Sequence, residues 1–336
     1  MAYRFDLEEF FPPALFDAIT DVRATRPYVI EQEALARRQR TQLAPDGKLV
    51  IVAADHPGRH VTVLGSEPLR MGNRYEYLGR ILRTMVHPEC DGLMTTPDII
   101  DDLFIVNHLV REAGGQSFLD DKLLVGCMQR GGLINAVFEM DDRFTSYTAY
   151  ELKRMRLDAG KMMMRTDLSD PASGKTLQYC ADAINELRRA GLTCFLEPLP
   201  AIKVDGVYKV DKSFAALLKL IGVATALGEG TSNTWLKVPY VENYAQAARA
   251  TTLPMLVLGG DPGGDPFPAI REVEQGMREA KNSRGALIGR CVLFPGDEDP
   301  AAILSIVNAI VHQGLSLDKA RLQLPELRGQ YIDALK

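Results

Sequence analysis

A chain of 336 residues, 46% hydrophobic and 25% charged, can bury a large core, and its composition excludes disorder and fibrous repeats. A net charge of −5 with no long basic cluster excludes a broad electrostatic footprint for nucleic acid or an anionic membrane, and leaves a small molecule as the expected partner. The opening MAYRFDLEEFFPPALF lacks a basic segment followed by a long apolar one, and no stretch approaches the ~18 apolar residues of a membrane span, so a cytoplasmic protein is expected.

Residues 1–48 read as an N-terminal helical extension. From residue 49 onward, short apolar runs ending in polar or glycine-rich turns alternate with longer amphipathic stretches, the pattern of parallel βα units. There are eight runs: LVIVAADH (49–56), GLMTTPD (92–98), LLVGCMQ (123–129), GKMMMRTD (160–167), TCFLEPLP (193–200), NTWLKVPY (233–240), PMLVLGG (254–260) and GALIGRCVL (285–293). Between the fourth and fifth, Leu177, Ala181, Ile184 and Leu187 recur at helical spacing, and Gly191 supplies the stop. Strand starts recur roughly every 35 residues, which fits a (β/α)8 barrel over 49–336. The competing doubly wound sheet calls for a glycine fingerprint after its first strand, and Asp55-His56-Pro57-Gly58-Arg59 is not one. The five cysteines, Cys90, Cys127, Cys180, Cys194 and Cys291, are odd in number and far apart, and read as reduced core residues.

In a barrel, catalytic groups come from the C-terminal ends of strands. Polar residues cluster there: Asp55 and His56, Gln129 and Arg130, Arg165 and Asp167. Polar strand ends also simply meet water, which alone accounts for about half of these. Glu197 and Lys237 differ, because each is flanked on both sides by apolar residues or proline. Burial disfavours the ammonium form of a lysine and turns it toward a nucleophilic amine, the chemistry of Schiff-base formation. On adjacent strands Glu197 and Lys237 meet at one reacting carbon, the carboxyl group shuttling protons; a structural ion pair is the competing reading. After the seventh and eighth runs, Gly259-Gly260 and Gly289-Arg290 leave backbone N–H groups open where barrels commonly hold phosphate. Arg165, near the mouth, is the expected partner of a substrate carboxylate, sulfonate or second phosphate. Lys161 shares its face, but near the strand start it reads as a bottom-layer or surface residue. Trp235 and Met162–Met164 read as packing.

In order and spacing, WLKVPY, PMLVLGG and RGALIGRCVLF resemble the Schiff-base lysine strand, the Gly-Gly phosphate loop and the final phosphate strand of class I aldolases of the DeoC/LacD and archaeal fructose-bisphosphate aldolase group. AADHPGRH resembles that group's Asp-His-Gly turn, and CFLEPL the glutamate strand of tagatose-bisphosphate and sulfofructose-phosphate aldolases. The resemblance covers about residues 49–294, closely only over the last three strands, and points to a bacterial branch often encoded near inositol catabolism genes. It implies a barrel lyase acting on a phosphorylated or acidic sugar-derived substrate, with Lys237 as the Schiff-base lysine, Asp55 assisting it and Glu197 as proton shuttle. His56, Gly259, Gly260, Gly289 and Arg290 would bind substrate, no metal or other cofactor is called for, and the assembly would be a homo-oligomer. Two departures stand out. The fourth run has methionines and Arg165 where the archaeal enzymes carry a tyrosine, which passes proton transfer to Glu197. Leu258 stands where serine often precedes Gly-Gly, which removes a hydroxyl donor and leaves phosphate binding open.

A class II aldolase would need several histidine and acidic ligands at strand ends. The five histidines, His56, His60, His87, His108 and His312, offer at most a small site of His56 and His60 with Asp55, so metal-dependent hydrolysis is a minor alternative. Thiolase-like acyl transfer on a phosphorylated diketone, and a sugar-phosphate-binding barrel without catalysis, are the other two.

Overall fold

The computed structural model describes residues 3–336. Nine strands occur among them: β1 (Leu49–Ala54), β2 (Gly92–Thr95), β3 (Leu123–Cys127), β4 (Ala159–Thr166), β5 (Thr193–Val204), β6 (Val207–Val210), β7 (Thr234–Pro239), β8 (Met255–Leu258) and β9 (Ser283–Ile288). Eight pair in parallel in the order β1-β2-β3-β4-β5-β7-β8-β9, and the β1–β9 pairing closes the ring into a (β/α)8 barrel. Strands buried on both faces read as unbroken apolar runs, which is why β1 is LVIVAA throughout.

Alternation along each strand separates two cores. Leu49, Ile51, Ala53, Val125, Cys127, Ala159, Phe195, Leu256 and Leu287 fill the barrel interior. Val50, Val52, Ala54, Met162, Met164, Leu196 and Val238 face the surrounding helices. Trp235 packs on the interior cluster beside Phe195, ring centroids 6.3 Å apart.

The N-terminal residues form helices Leu7–Phe10, Pro13–Thr25 and Val29–Ala36. The chain then runs beneath the barrel, where Leu43 and Ala44 close the interior cluster. Arginines fasten it to the segments that enter β2, β3 and β4: Arg40 to Asp91 at 2.9 Å, Arg37 to the Lys122 carbonyl at 2.8 Å and to Asp158 at 3.0 Å. With that end sealed, the opposite one is left for chemistry.

Two elements depart from the expected boundaries. β5 continues past Pro200 to Val204 and turns back through Asp205-Gly206, with φ of 51° and 82°, into β6, an antiparallel hairpin standing above the barrel. The eighth barrel strand, β9, ends at Ile288 rather than 293; the chain turns at Gly289, which passes so close to β1 that a Cβ there would lie 2.4 Å from the Ala53 carbonyl oxygen. Arg290–Leu293 becomes a short helix. The helix of the fourth unit, Ser173–Ala190, ends at Gly191 as expected. All five cysteines are free and buried. No helix among the described residues is long and apolar enough to cross a membrane.

Candidate active site

The interior stays apolar through its lower layers and becomes ionic where the strands end. The register Phe195↔Trp235 between β5 and β7 sets Glu197 and Lys237, two residues further on, at one height and on the inward side. Lys237 Nζ lies 3.1 Å from each Glu197 carboxylate oxygen. Glu197 Oε2 is also 2.9 Å from Lys161 Nζ, and Lys161 Nζ is 3.2 Å from Asp55 Oδ2. The four form one chain, Asp55–Lys161–Glu197–Lys237, and none is more than 6% exposed.

Lys161 therefore belongs to the centre of the site, not to the bottom layer or the surface. It does start one inward layer below Glu197, opposite Phe195 on β5. Its four-carbon stem carries the ammonium up to the height of the carboxylates, as long basic side chains commonly do.

Charge decides the protonation states. Burial alone would push the Glu197 carboxyl up, yet Lys161, Lys237 and Arg59 outweigh it and hold it at about 2. Asp55, buried too, is pulled well below the usual carboxylate range by Lys161 and Arg59. Burial opposes the Lys161 ammonium, but the carboxylates of Asp55 and Glu197 on either side raise its pKa above that of an ordinary lysine. For Lys237 burial dominates and, with the like charge of Lys161, lowers it despite the pull of Glu197. The physical reason is balance: Lys161 lies between Asp55 and Glu197, so Lys237 must share Glu197 with another ammonium in a water-poor interior, with the Arg59 charge also nearby.

Above this layer β5 and β7 part. Their pairing stops at Leu196↔Leu236. The N–H of Cys194 points to the β7 side, so by alternation Pro198 and Pro200 put their missing donors where β7 no longer pairs. Pro239 does the same from β7, since the Leu236 N–H points the other way, to the Pro254 carbonyl. The prolines flanking Glu197 and Lys237 thus mark where the wall opens into the mouth.

The remaining expected residues fall around that mouth. His56 sets its Nδ1 3.4 Å from the Tyr77 hydroxyl, and burial with the nearby Arg290, Arg59 and Lys237 charges pushes its imidazole down to about 3, so it is neutral. Its ring edge packs on Gly289, where a Cβ would come within 2.7 Å of it. His60 turns instead to the Ile134 carbonyl, 3.1 Å away. Gly259 lies against Cys291 and Ile288, while Gly260 has open space beside it. Arg290, following Gly289, is engaged by Asp261 at 2.7 Å, from the loop that begins with Gly259-Gly260. Arg165 faces the interior above Lys161 but is not a free cation: Nη1 pairs with buried Glu139 and Nη2 donates to the Tyr208 carbonyl of β6 at 2.9 Å. Gln129 is a structural latch, accepting from the Met163 N–H and donating to Asp142 at 2.6 Å. Asp167 caps its own turn through the Ser169 N–H at 2.9 Å, and Arg130 lies at the surface.

Sequence reasoning also passed over Arg59 and Glu139. Arg59 sits inside the Asp55–Arg59 turn and could have been found from that motif; Glu139 lies in an irregular loop whose path no local pattern reveals.

The same barrel occurs in known structures. Cgl0159 from Corynebacterium glutamicum is 38% identical, over 91% of this chain and 99% of that one, with a TM-score of 0.83. A Schiff-base-forming fructose-1,6-bisphosphate aldolase superposes with a TM-score of 0.56 at 17% identity, over 84% of this chain and 99% of that one, and shares the fold. The fructose-bisphosphate aldolase of Slackia heliotrinireducens does so with a TM-score of 0.60 at 12% identity, over 97% of each chain. A stretch of 108 residues, 31% of this chain, is 33% identical to 2-amino-3,7-dideoxy-D-threo-hept-6-ulosonate synthase of Halobacterium salinarum, and the match spans 37% of that enzyme's length. The family described as Cgl0159-like matches residues 47–308, and to that family the chain belongs.

Proposed function

We propose that this protein is a class I aldolase that makes or breaks a carbon–carbon bond in a phosphorylated or acidic sugar-derived substrate through a Schiff base on Lys237. The observation that carries the reading is the position of one amine: Lys237 Nζ is enclosed in the barrel, its pKa is lowered, and it rests 3.1 Å from both oxygens of an ionised glutamate. A neutral amine adds to a carbonyl carbon to give a carbinolamine, which loses water to become an iminium ion. The positive nitrogen then accepts the electron pair of the breaking carbon–carbon bond, while the β-hydroxyl proton passes to a base and the aldehyde departs. Glu197 is the base within reach; it returns that proton to the enamine carbon, water then releases the ketone and restores the Lys237 amine, and the same carboxylate serves the carbinolamine proton transfers. Lys161 keeps a positive charge beside Glu197 through the cycle, and Asp55 holds Lys161 in place. The fold shared with Schiff-base aldolases supports the reading.

Reduction with borohydride in the presence of a panel of ketones and aldehydes, followed by peptide mass mapping, tests it. The expected product is one secondary-amine adduct at Lys237, absent in Lys237→Met. An unmodified Lys237 across the panel would favour a barrel that binds sugar phosphates without catalysis.

A phosphate at Gly259, Gly260, Gly289 and Arg290 has a competitor, since Asp261 already occupies the Arg290 guanidinium. Asp261→Asn is therefore expected to tighten binding of dihydroxyacetone phosphate by about tenfold, the scale of one charge-assisted contact, as measured by calorimetry. Weaker binding would mean that Asp261 positions Arg290 rather than masking it.

A further inference from the structure

Three arginines approach the mouth, and two are spoken for: Arg165 by Glu139 and Arg290 by Asp261. Arg59 is different. Its nearest carboxylate oxygen is Asp55 Oδ2 at 3.8 Å, and Lys161 holds that same oxygen at 3.2 Å. Its Nε is buried with no hydrogen-bond partner among the described residues, as are those of Arg165 and Arg290, but unlike them it has no close carboxylate of its own, and its side chain is 14% exposed. A guanidinium carries five donors and cannot shed its charge, so leaving one nearly unpaired in a water-poor place is unfavourable unless something else uses it.

The surroundings fix that guanidinium in place. The turn bearing Arg59 is pressed to the end of β2, where a Cβ on Gly58 would lie 2.8 Å from Thr96, the residue after the strand. The Arg59 carbonyl accepts from the Ile134 N–H at 3.3 Å, tying the turn to the loop after β3. That loop is hollowed out for the side chain: Gly131 has φ +59°, and a Cβ there would lie 2.8 Å from Arg59 Nε. Through Asp55, Arg59 is one carboxylate from Lys161, and Lys161 is one carboxylate from Lys237, so its outer nitrogens lie within a small molecule's length of the reacting amine.

From this placement we infer that Arg59 is the specificity-determining residue of the site, selecting a carbonyl substrate that carries an anionic group, carboxylate or phosphate, a few bonds from the carbon Lys237 attacks. The inference rests on the Schiff-base reading for the identity of that carbon, but not for the anion site itself. Arg59 is distinct from the Gly-Gly and Arg290 end, and the two together suit a substrate charged at both ends.

The test is a ratio. Adduct formation at Lys237 is timed with pyruvate and dihydroxyacetone phosphate as anionic ketones, and with acetone and dihydroxyacetone as neutral ones. Arg59→Gln should lower the anionic-to-neutral rate ratio by about a hundredfold, Arg59→Lys should restore part of it, and the arm that falls tells carboxylate from phosphate. An unchanged ratio would overturn the inference, because a merely structural arginine slows both classes alike. Calorimetry separates this outcome from failure of the Schiff base. In Lys237→Met the anionic ketones should still bind, and adding Arg59→Gln should abolish the binding of pyruvate and weaken that of dihydroxyacetone phosphate to what the Gly-Gly and Arg290 end supplies. Arg59-dependent binding without any wild-type adduct would sink the aldolase and keep the anion site; adducts whose rates ignore Arg59 would do the reverse.

Discussion

Replacing Lys161 with methionine is expected to slow Schiff-base formation about a hundredfold at neutral pH and to return most of the loss at high pH. Glu197 Oε2 lies 2.9 Å from Lys161 Nζ and makes a contact with Lys237 Nζ at 3.1 Å, so the two amines are no more than about 6 Å apart. At an effective dielectric of ~20, two like charges at that separation oppose each other by roughly 2–3 kcal/mol, or about two pH units. With Lys161 gone, two buried carboxylates face Lys237 with only Arg59 to help. Lys237 then takes up a proton to satisfy them, and a protonated amine cannot attack. The sign is fixed by that argument: the pH limb for adduct formation, which tracks loss of the Lys237 proton, moves upward. Stopped-flow or quench measurement of adduct rate against pH checks it, with Asp55→Asn/Lys161→Met as the companion, since removing one carboxylate should move the limb part of the way back. A limb that stays put while only the ketone concentration dependence changes would show that Lys161 binds substrate rather than tuning the nucleophile.

The fold was legible because parallel barrel strands are buried on both faces and leave continuous apolar runs. The tops of strands were less so, for reasons particular residues show. Pro198 and Pro200 made the fifth run look finished at residue 200. They are tolerated because β7 has already stopped pairing beside them, so β5 continues into a hairpin whose Asp205-Gly206 turn was a readable signal. Glu197 and Lys237 stood out because apolar neighbours gave their charges no surface explanation. Lys161 does not, because strand position gives the height of a Cα, whereas a lysine acts at the end of its stem. Strand position alone leaves Arg165 free for substrate, because its neutralising partner, Glu139, comes from an irregular loop 26 residues earlier in the chain. One-dimensional patterns give faces and heights; they do not give which loop delivers the counter-charge.

The largest stability effect is expected far from this chemistry, at Asp299. Neither Asp299 nor Arg83 exposes any side-chain surface. Asp299 accepts from Arg83 Nε at 2.9 Å and Nη2 at 2.7 Å, from the Ala301 N–H at 3.0 Å as the cap of helix Pro300–Val311, and from the Gly329 N–H at 2.9 Å. Arg83 also donates to the Gln330 carbonyl at 2.6 Å and lies 5.2 Å from the Phe10 ring centroid. One carboxylate thus joins the N-terminal extension, helix Arg74–Met85, helix Pro300–Val311 and the C-terminal segment. Asp299→Ala leaves a buried guanidinium unpaired and two N–H groups unmet, and should cost about 3–5 kcal/mol in urea unfolding. Replacing both partners separates the contributions. Arg83→Met/Asp299→Asn removes the stranded charge and keeps a capping oxygen, so it should recover more than half of that loss. If the double variant is no more stable than Asp299→Ala, the energy resides in the ion pair itself rather than in the penalty for breaking it.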